Sequence, residues 1–147
     1  MNQPPVRTEY EKRLTALQQC VHDLQKQDDA EKMSHTVVCF AKEWFKFDLV
    51  WLAEYDAQTR TLIGLDGMLP NPDKDRAFLR QKHPILPGDL FDQTLVTGRS
   101  QKIPSLKQEQ RAGEWQVLAK RQDIQGALIL PIRYRHQSLG LLLVGTT

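Results

Sequence analysis

Two strongly apolar runs near the C-terminus, residues 124–134 and 138–144, are separated only by a polar turn at residues 135–137. No other feature limits the fold as much. Runs of this length at hairpin distance predict two antiparallel strands. Apolar residues fill both alternating positions, so each strand is expected in the middle of a sheet with both faces covered. The sheet must therefore find packing partners on two sides. Pro131 departs from the pattern, because proline cannot donate to a strand ladder, and it predicts a bulge or a strand switch at that point.

The upstream sequence supplies the partners. Tyr10, Leu14, Leu17, Val21 and Leu24 recur in alternating steps of four and three among polar residues, which is the seam of a first helix. Asp28 and Glu31 read as an N-cap and capping box for a second helix. Met33, Val37, Phe40, Ala41 and Trp44 give that helix a wider apolar face, better suited to cover a sheet. From Leu49 to Tyr55 a β-prone run follows, ending at a turn over residues 56–60, with a second strand over 61–65 at hairpin distance. Residues 66–88 are rich in proline, glycine and charge and read as surface loop, with an apolar island at Phe78 and Leu79 forming a brief edge strand. Asp89 caps a short helix that runs through Val96 and ends at Gly98. A strand over 101–103 stops at Pro104, and a helix over 110–121 carries Trp115, Leu118 and Ala119 on one side.

At 147 residues the chain fits one domain. Its 40% hydrophobic and 26% charged residues are ordinary for a globular core. The net charge of +2 is scattered, which gives no basis for nucleic-acid binding. The apolar runs are too short to cross a membrane and no signal-peptide core is visible, so no membrane partner and a cytoplasmic location are expected. Cys20 and Cys39 fall in the predicted helices without metal-type or redox-type spacing and are expected to be idle thiols. His22, His35, His83 and His136 are dispersed along the chain and read as surface or capping residues, with no metal site.

This order of elements, two helices, a hairpin, a long loop, a short helix, a strand, a helix and an apolar hairpin, resembles that of a GAF domain. The residues agree with it. Ile85-Leu86-Pro87-Gly88-Asp89-Leu90-Phe91, Val96-Thr97-Gly98-Arg99 and Lys102-Ile103-Pro104 are similar to the family's short helix, Thr-Gly turn and following strand. Gly126-Ala127-Leu128-Ile129-Leu130-Pro131-Ile132 and Leu139-Gly140-Leu141-Leu142-Leu143-Val144-Gly145 are similar to its closing hairpin. PAS domains have a comparable element count, but the two leading helices and the apolar hairpin favour GAF. The resemblance implies an α/β (α+β) fold: a central antiparallel sheet, N-terminal helices on one face, loops and short helices on the other. Residues 1–27 then form a separate helix, a possible dimerisation segment, and residues 28–147 a GAF-like domain. The family's closing C-terminal helix has no counterpart before Thr147, which implies a segment of a longer signalling protein.

What the resemblance implies about ligands is narrower. Family members that carry bilin use a cysteine near the fourth helix, and residues 110–125 contain none, so covalent bilin is not expected. The ordered polar series of the cyclic-nucleotide binders is absent as well. Methionine sulfoxide reductases of this fold place cysteines in loops over the pocket, whereas Cys20 and Cys39 sit on helix faces. The elements that cover the family's ligand face carry Phe78, Phe91 and Trp115 here, with Thr94, Arg99 and Gln116 as polar groups to orient a ligand. The same aromatic side chains could instead fill the cavity. Basic residues at Arg76, Arg80, Lys82 and His83, and at Arg133, Arg135 and His136, read as solvated charge.

The expectation is a non-catalytic sensory or regulatory domain that binds a small molecule or a protein partner or relays a change to an output domain, with the cofactor unknown. The alternative is a structural homodimerisation module with a filled pocket. A small enzyme built on His83, Asp89 and Arg99 ranks below both. The seam Tyr10, Leu14, Leu17, Val21 and Leu24 has the spacing by which two helices interlock, so a homodimer is expected through it. Replacing Leu17 with Glu should give a folded monomer in sedimentation equilibrium; a dimer of unchanged mass would discard the seam.

Overall fold

The computed structural model describes residues 46–134 and 137–147, with Lys12, Thr15, His35, Val38 and Cys39 besides, and of Tyr134 the backbone alone. The residues of the expected dimerisation seam, and most of those expected in the two N-terminal helices, lie outside the described residues. The rest is organised by one antiparallel sheet of six strands: β1 (Leu49–Asp56), β2 (Thr61–Met68), β3 (Lys82–Pro84), β4 (Gln101–Ile103), β5 (Ala127–Tyr134) and β6 (Gln137–Gly145). Their spatial order is β3-β2-β1-β6-β5-β4, so the closing hairpin is central, as its apolar density requires.

Alternation along the central strands gives the sheet two cores. Leu49, Trp51 and Ala53 of β1 and Leu141 and Leu143 of β6 pack on one face with Leu79, Phe91, Trp115 and Leu118. These four come from helices α1 (Arg76–Leu79), α2 (Leu90–Thr97) and α3 (Glu114–Gln122). Val50, Leu52, Leu142 and Val144 face the other way and pack with Val38, a helical residue of the N-terminal region. The expected division of helices between the two faces is thus present.

Several local expectations are corrected. Phe78 and Leu79 lie in α1 rather than in an edge strand, and the edge is β3, three residues further on. Helical geometry lets Leu79 bury its side chain while its carbonyl oxygen accepts the Trp51 indole N–H at 2.7 Å, which an edge strand would have left to water. The second strand runs on to Met68. The helix foreseen over 110–121 splits at Gly113, whose φ of 59° and ψ of −126° suit glycine alone, into a 3-10 turn (Gln110–Ala112) and α3. Ile124 is outside β5; its N–H closes the end of α3 on the Ala119 carbonyl at 2.9 Å. Pro131 sits in regular register opposite Leu141, and the irregularity falls between Ile132 and Arg133. Proline is tolerated there because β4 reaches along β5 only to Ile129, leaving β6 as the one ladder at Pro131.

The long loop is stitched down by a residue that sequence periodicity assigns no role. Gln122, buried at the end of α3, accepts from the Asn71 N–H at 2.8 Å and donates to Asp75 at 3.1 Å. Arg121 adds an ion pair to Asp75 at 2.8 Å. At the end of α1, the Leu79 carbonyl comes so close to β2 that a Cβ on Gly64 would lie 1.7 Å from its oxygen. Gly64→Ala should therefore displace α1, break the Trp51 bond and lower unfolding stability by about 3 kcal/mol in urea titration. Gly126→Ala, whose Cβ would meet nothing closer than 3.8 Å, is the control and should be near neutral.

Candidate functional site

The α-helical face of the sheet carries a cavity of about 520 Å³. Its walls are built from four places in the chain. Leu62 of β2 and His83 and Pro84 of β3 form one side, residues 85–89 and Phe91 the second, and residues 110–115 close it from above. A volume of this order lies within the ~300–1,000 Å³ of small-molecule sites.

Its loop wall is held by two carboxylates of the first turn of α2. Asp89 is the N-cap and accepts from the Asp92 N–H at 2.7 Å and from the Leu86 N–H at 3.0 Å. Asp92 accepts from the Gly88 N–H at 2.9 Å and from the Arg60 guanidinium at 2.8 Å. Arg60 lies in the β1–β2 turn, and its carbonyl receives the Ile85 N–H at 2.9 Å. Capping thus does two things here: it satisfies orphan N–H groups of α2 and it fixes the loop against the sheet. On the opposite wall, Arg111 donates to the Glu109 carboxylate at 2.9 Å and holds that carboxyl below its ordinary range.

Beneath the cavity five rings meet. Trp51 and Trp115 lie 4.6 Å apart between centroids, Phe78 and Trp115 4.9 Å, Phe78 and His83 4.7 Å, and Phe91 stands 6.4 Å from Trp51. Edge-to-face and tilted contacts at these separations are favourable beyond the area they bury. The His83 Nε2–H donates to the Phe78 carbonyl at 2.9 Å, beside the Trp51 bond to Leu79. The two ring N–H groups thereby reach the last two carbonyls of α1: Trp51 takes that of Leu79, and His83 shares that of Phe78 with the Gln81 N–H at 3.4 Å. The Trp115 indole N–H is different. It is buried and has no hydrogen-bond partner among the described residues.

Of the residues singled out from sequence, Phe78, Phe91 and Trp115 are brought together, and Phe91 and Trp115 line the cavity. Thr94 is buried with its hydroxyl on the Leu90 carbonyl at 2.9 Å, Gln116 donates to the Lys107 carbonyl at 3.0 Å, and Arg99 is exposed; none of the three lines the cavity. His83 and Asp89 do line it, without Arg99. The surface role expected of His83 is corrected: it is 8% exposed, because β3 turns it inward between Lys82 and Pro84, which stay outside. From sequence Trp51 has no place in the site, and His83 enters it only in the rival enzyme reading. A tryptophan within an apolar strand reads as core, and a lone histidine in a charged loop reads as surface. The alternating burial of β3 is the only local signal, and three residues are too few to show a period. Arg76 and Arg80 line a separate concavity beside Asp66 and Met68.

The chain matches no model of a known protein family and no curated protein. Solved structures do resemble it. The GAF domain of a phosphoenolpyruvate-protein phosphotransferase from Coxiella burnetii superposes with a TM-score of 0.68 at 16% identity, over 90% of this chain and 76% of that one. The A. aeolicus nlh2 GAF domain, in an inactive state, gives 0.66 at 11% identity, over 93% and 80%. A free methionine-R-sulfoxide reductase from Neisseria meningitidis, in complex with its substrate, gives 0.64 at 13% identity, over 88% and 70%. Identities this low speak for the fold alone, and together with the six-stranded sheet and its two packed faces they identify the chain as a domain of GAF-like fold.

Proposed function

We propose that this chain is a non-catalytic sensory or regulatory domain of a cytoplasmic signalling protein, and that it takes a small molecule in the cavity above the Trp51–Trp115 ring cluster. The observation that carries the reading is the pairing of a cavity of about 520 Å³ with Trp115 in its lining, whose buried indole N–H has no hydrogen-bond partner among the described residues. An unsatisfied buried donor costs about 1–3 kcal/mol, and a ligand that brought an acceptor to it would recover part of that cost. The other walls offer mostly apolar and backbone surface, which suits binding better than bond-making.

A bound molecule would press on residues 85–89 and on the first turn of α3. The first is joined through Asp92 and Arg60 to the β1–β2 turn, the second through Gln122 to residues 71–75. Both routes lead away from the cavity along hydrogen-bonded contacts, as a relay to an output domain requires. The reading extends to a homodimer through Tyr10, Leu14, Leu17, Val21 and Leu24.

The tight ring contacts favour one other reading, a structural homodimerisation module whose interior is filled by side chains. Native mass spectrometry of the purified chain separates the two. Sensor binding predicts a retained small mass that disappears in Ala112→Phe, which narrows the cavity wall; bare chains throughout would favour the structural module. Independently, Phe78→Ala should lower stability by about 3 kcal/mol, since it removes a ring packed on both Trp115 and His83. A loss under about 1 kcal/mol in chemical denaturation would mean that the rings do not support one another.

A further inference from the structure

The face of the sheet opposite the cavity carries a second constellation that the ligand-binding reading does not use. His35 and Cys39 are helical residues four apart, and the Cys39 Sγ lies 3.5 Å from the His35 Nε2. The other ring nitrogen, Nδ1, lies 3.3 Å from the Asp66 Oδ2. Thiol, imidazole and carboxylate are thus joined in series through the two nitrogens of one ring.

The sheet makes a specific provision for this. In β2, Leu62 packs on the cavity face, and strict alternation would place residue 66 on that face too. The register shifts between Leu52 and Ala53 of β1, so that Ala53 pairs with Gly64 while Leu52 pairs with Asp66 and Leu65 is left over. From the bulge onwards the parity is reversed. Asp66 now shares a face with its partner Leu52, on the side where Val38 packs and His35 lies, and Met68 follows it there. Bulges commonly re-aim a side chain in this way. The Asp66 carboxylate is also held by the Gly67 N–H, which donates to its Oδ1 at 2.8 Å and leaves Oδ2 for the histidine.

We propose that Cys39 is an activated, oxidant-sensitive thiol, with His35 as its base and Asp66 as the residue that positions the base. Asp66 accepts a hydrogen bond from the Nδ1–H and so fixes the tautomer in which Nε2 is free to take the thiol proton. The arrangement is a relay and not a chelate, because sulfur and carboxylate address opposite sides of the imidazole; no metal-holding group of three such residues occurs among the described residues. The site is also reachable: the His35 side chain is 73% exposed and Cys39 is half-buried. The co-reactant is a hydroperoxide. The Cys39 thiolate attacks the distal peroxide oxygen, an S–O bond forms and the O–O bond breaks. Sulfur loses two electrons to give the sulfenic acid, and the departing alkoxide or hydroxide takes the proton held on the His35 Nε2.

The test uses the full chain with Cys20→Ser, so that Cys39 is the sole thiol. Iodoacetamide at neutral pH should alkylate it about tenfold faster than in the His35→Ala variant. Asp66→Asn should fall between them, and free imidazole in the buffer should restore part of the rate lost in His35→Ala. Dilute hydrogen peroxide followed by dimedone should label Cys39 in the parent and not in His35→Ala. Circular dichroism reports whether the variants fold, with His35→Gln as the substitute if the alanine variant does not. Equal alkylation rates in the parent and a folded His35 variant, or a lost rate that imidazole leaves untouched, would overturn the relay.

Discussion

The bond from the Trp51 indole to the Leu79 carbonyl fixes where the loop-rich half of the molecule meets the sheet. It joins a central strand to the end of a helix too short to hold itself together by its own hydrogen bonds. Helix α1 has four residues; its last carbonyl, that of Leu79, receives Trp51, and the Phe78 carbonyl receives His83 beside the backbone N–H of Gln81. Its position in turn depends on Gly64, because only a residue without Cβ lets the carbonyl approach β2 so closely. A tertiary contact thereby decides a local conformation, and the ring cluster beneath the cavity follows from it.

The cavity illustrates how capping chemistry can shape a site. Asp89 and Asp92 would serve α2 adequately as ordinary N-terminal carboxylates. Here they also receive the backbone N–H groups of Leu86 and Gly88, so the loop is tied on both sides of Pro87. Gly113 opens the opposite wall by separating the 3-10 turn from α3. Between these two backbone devices lies the space that an unbroken helix over 110–121 would have occupied differently.

The two faces of the sheet are chemically distinct, and the β2 bulge is what divides them at that strand. One face presents aromatic rings and a cavity; the other presents an apolar layer with Val38 and, at its border, the His35–Asp66 pair. One extra residue, Leu65, suffices to move a carboxylate from the first to the second, because the side-chain period of a strand is two.

The sequence by itself determined the central hairpin, the Asp89 cap, the Gly98 stop and the short strand before Pro104, since each rests on interactions within a few residues: apolar alternation, a side chain reaching its own backbone, a ring without an N–H. It also placed Phe78, Phe91 and Trp115 on the right side of the sheet, because the order of elements leaves them only one face to cover. Only the tertiary structure decided that Phe78 and Leu79 form a helix, that Trp51 and His83 belong with the aromatic set, and that Thr94, Arg99 and Gln116 point elsewhere. The Trp51 and Gln122 contacts depend on partners 28 and 51 residues away, Leu79 and Asn71, and the β2 bulge on a register shift that no local pattern announces, whereas Thr94 and Gln116 turn to the nearer carbonyls of Leu90 and Lys107. Local periodicity reports what a residue does to its neighbours in sequence, whereas a buried polar group is placed by whichever distant carbonyl or carboxylate the fold brings to it.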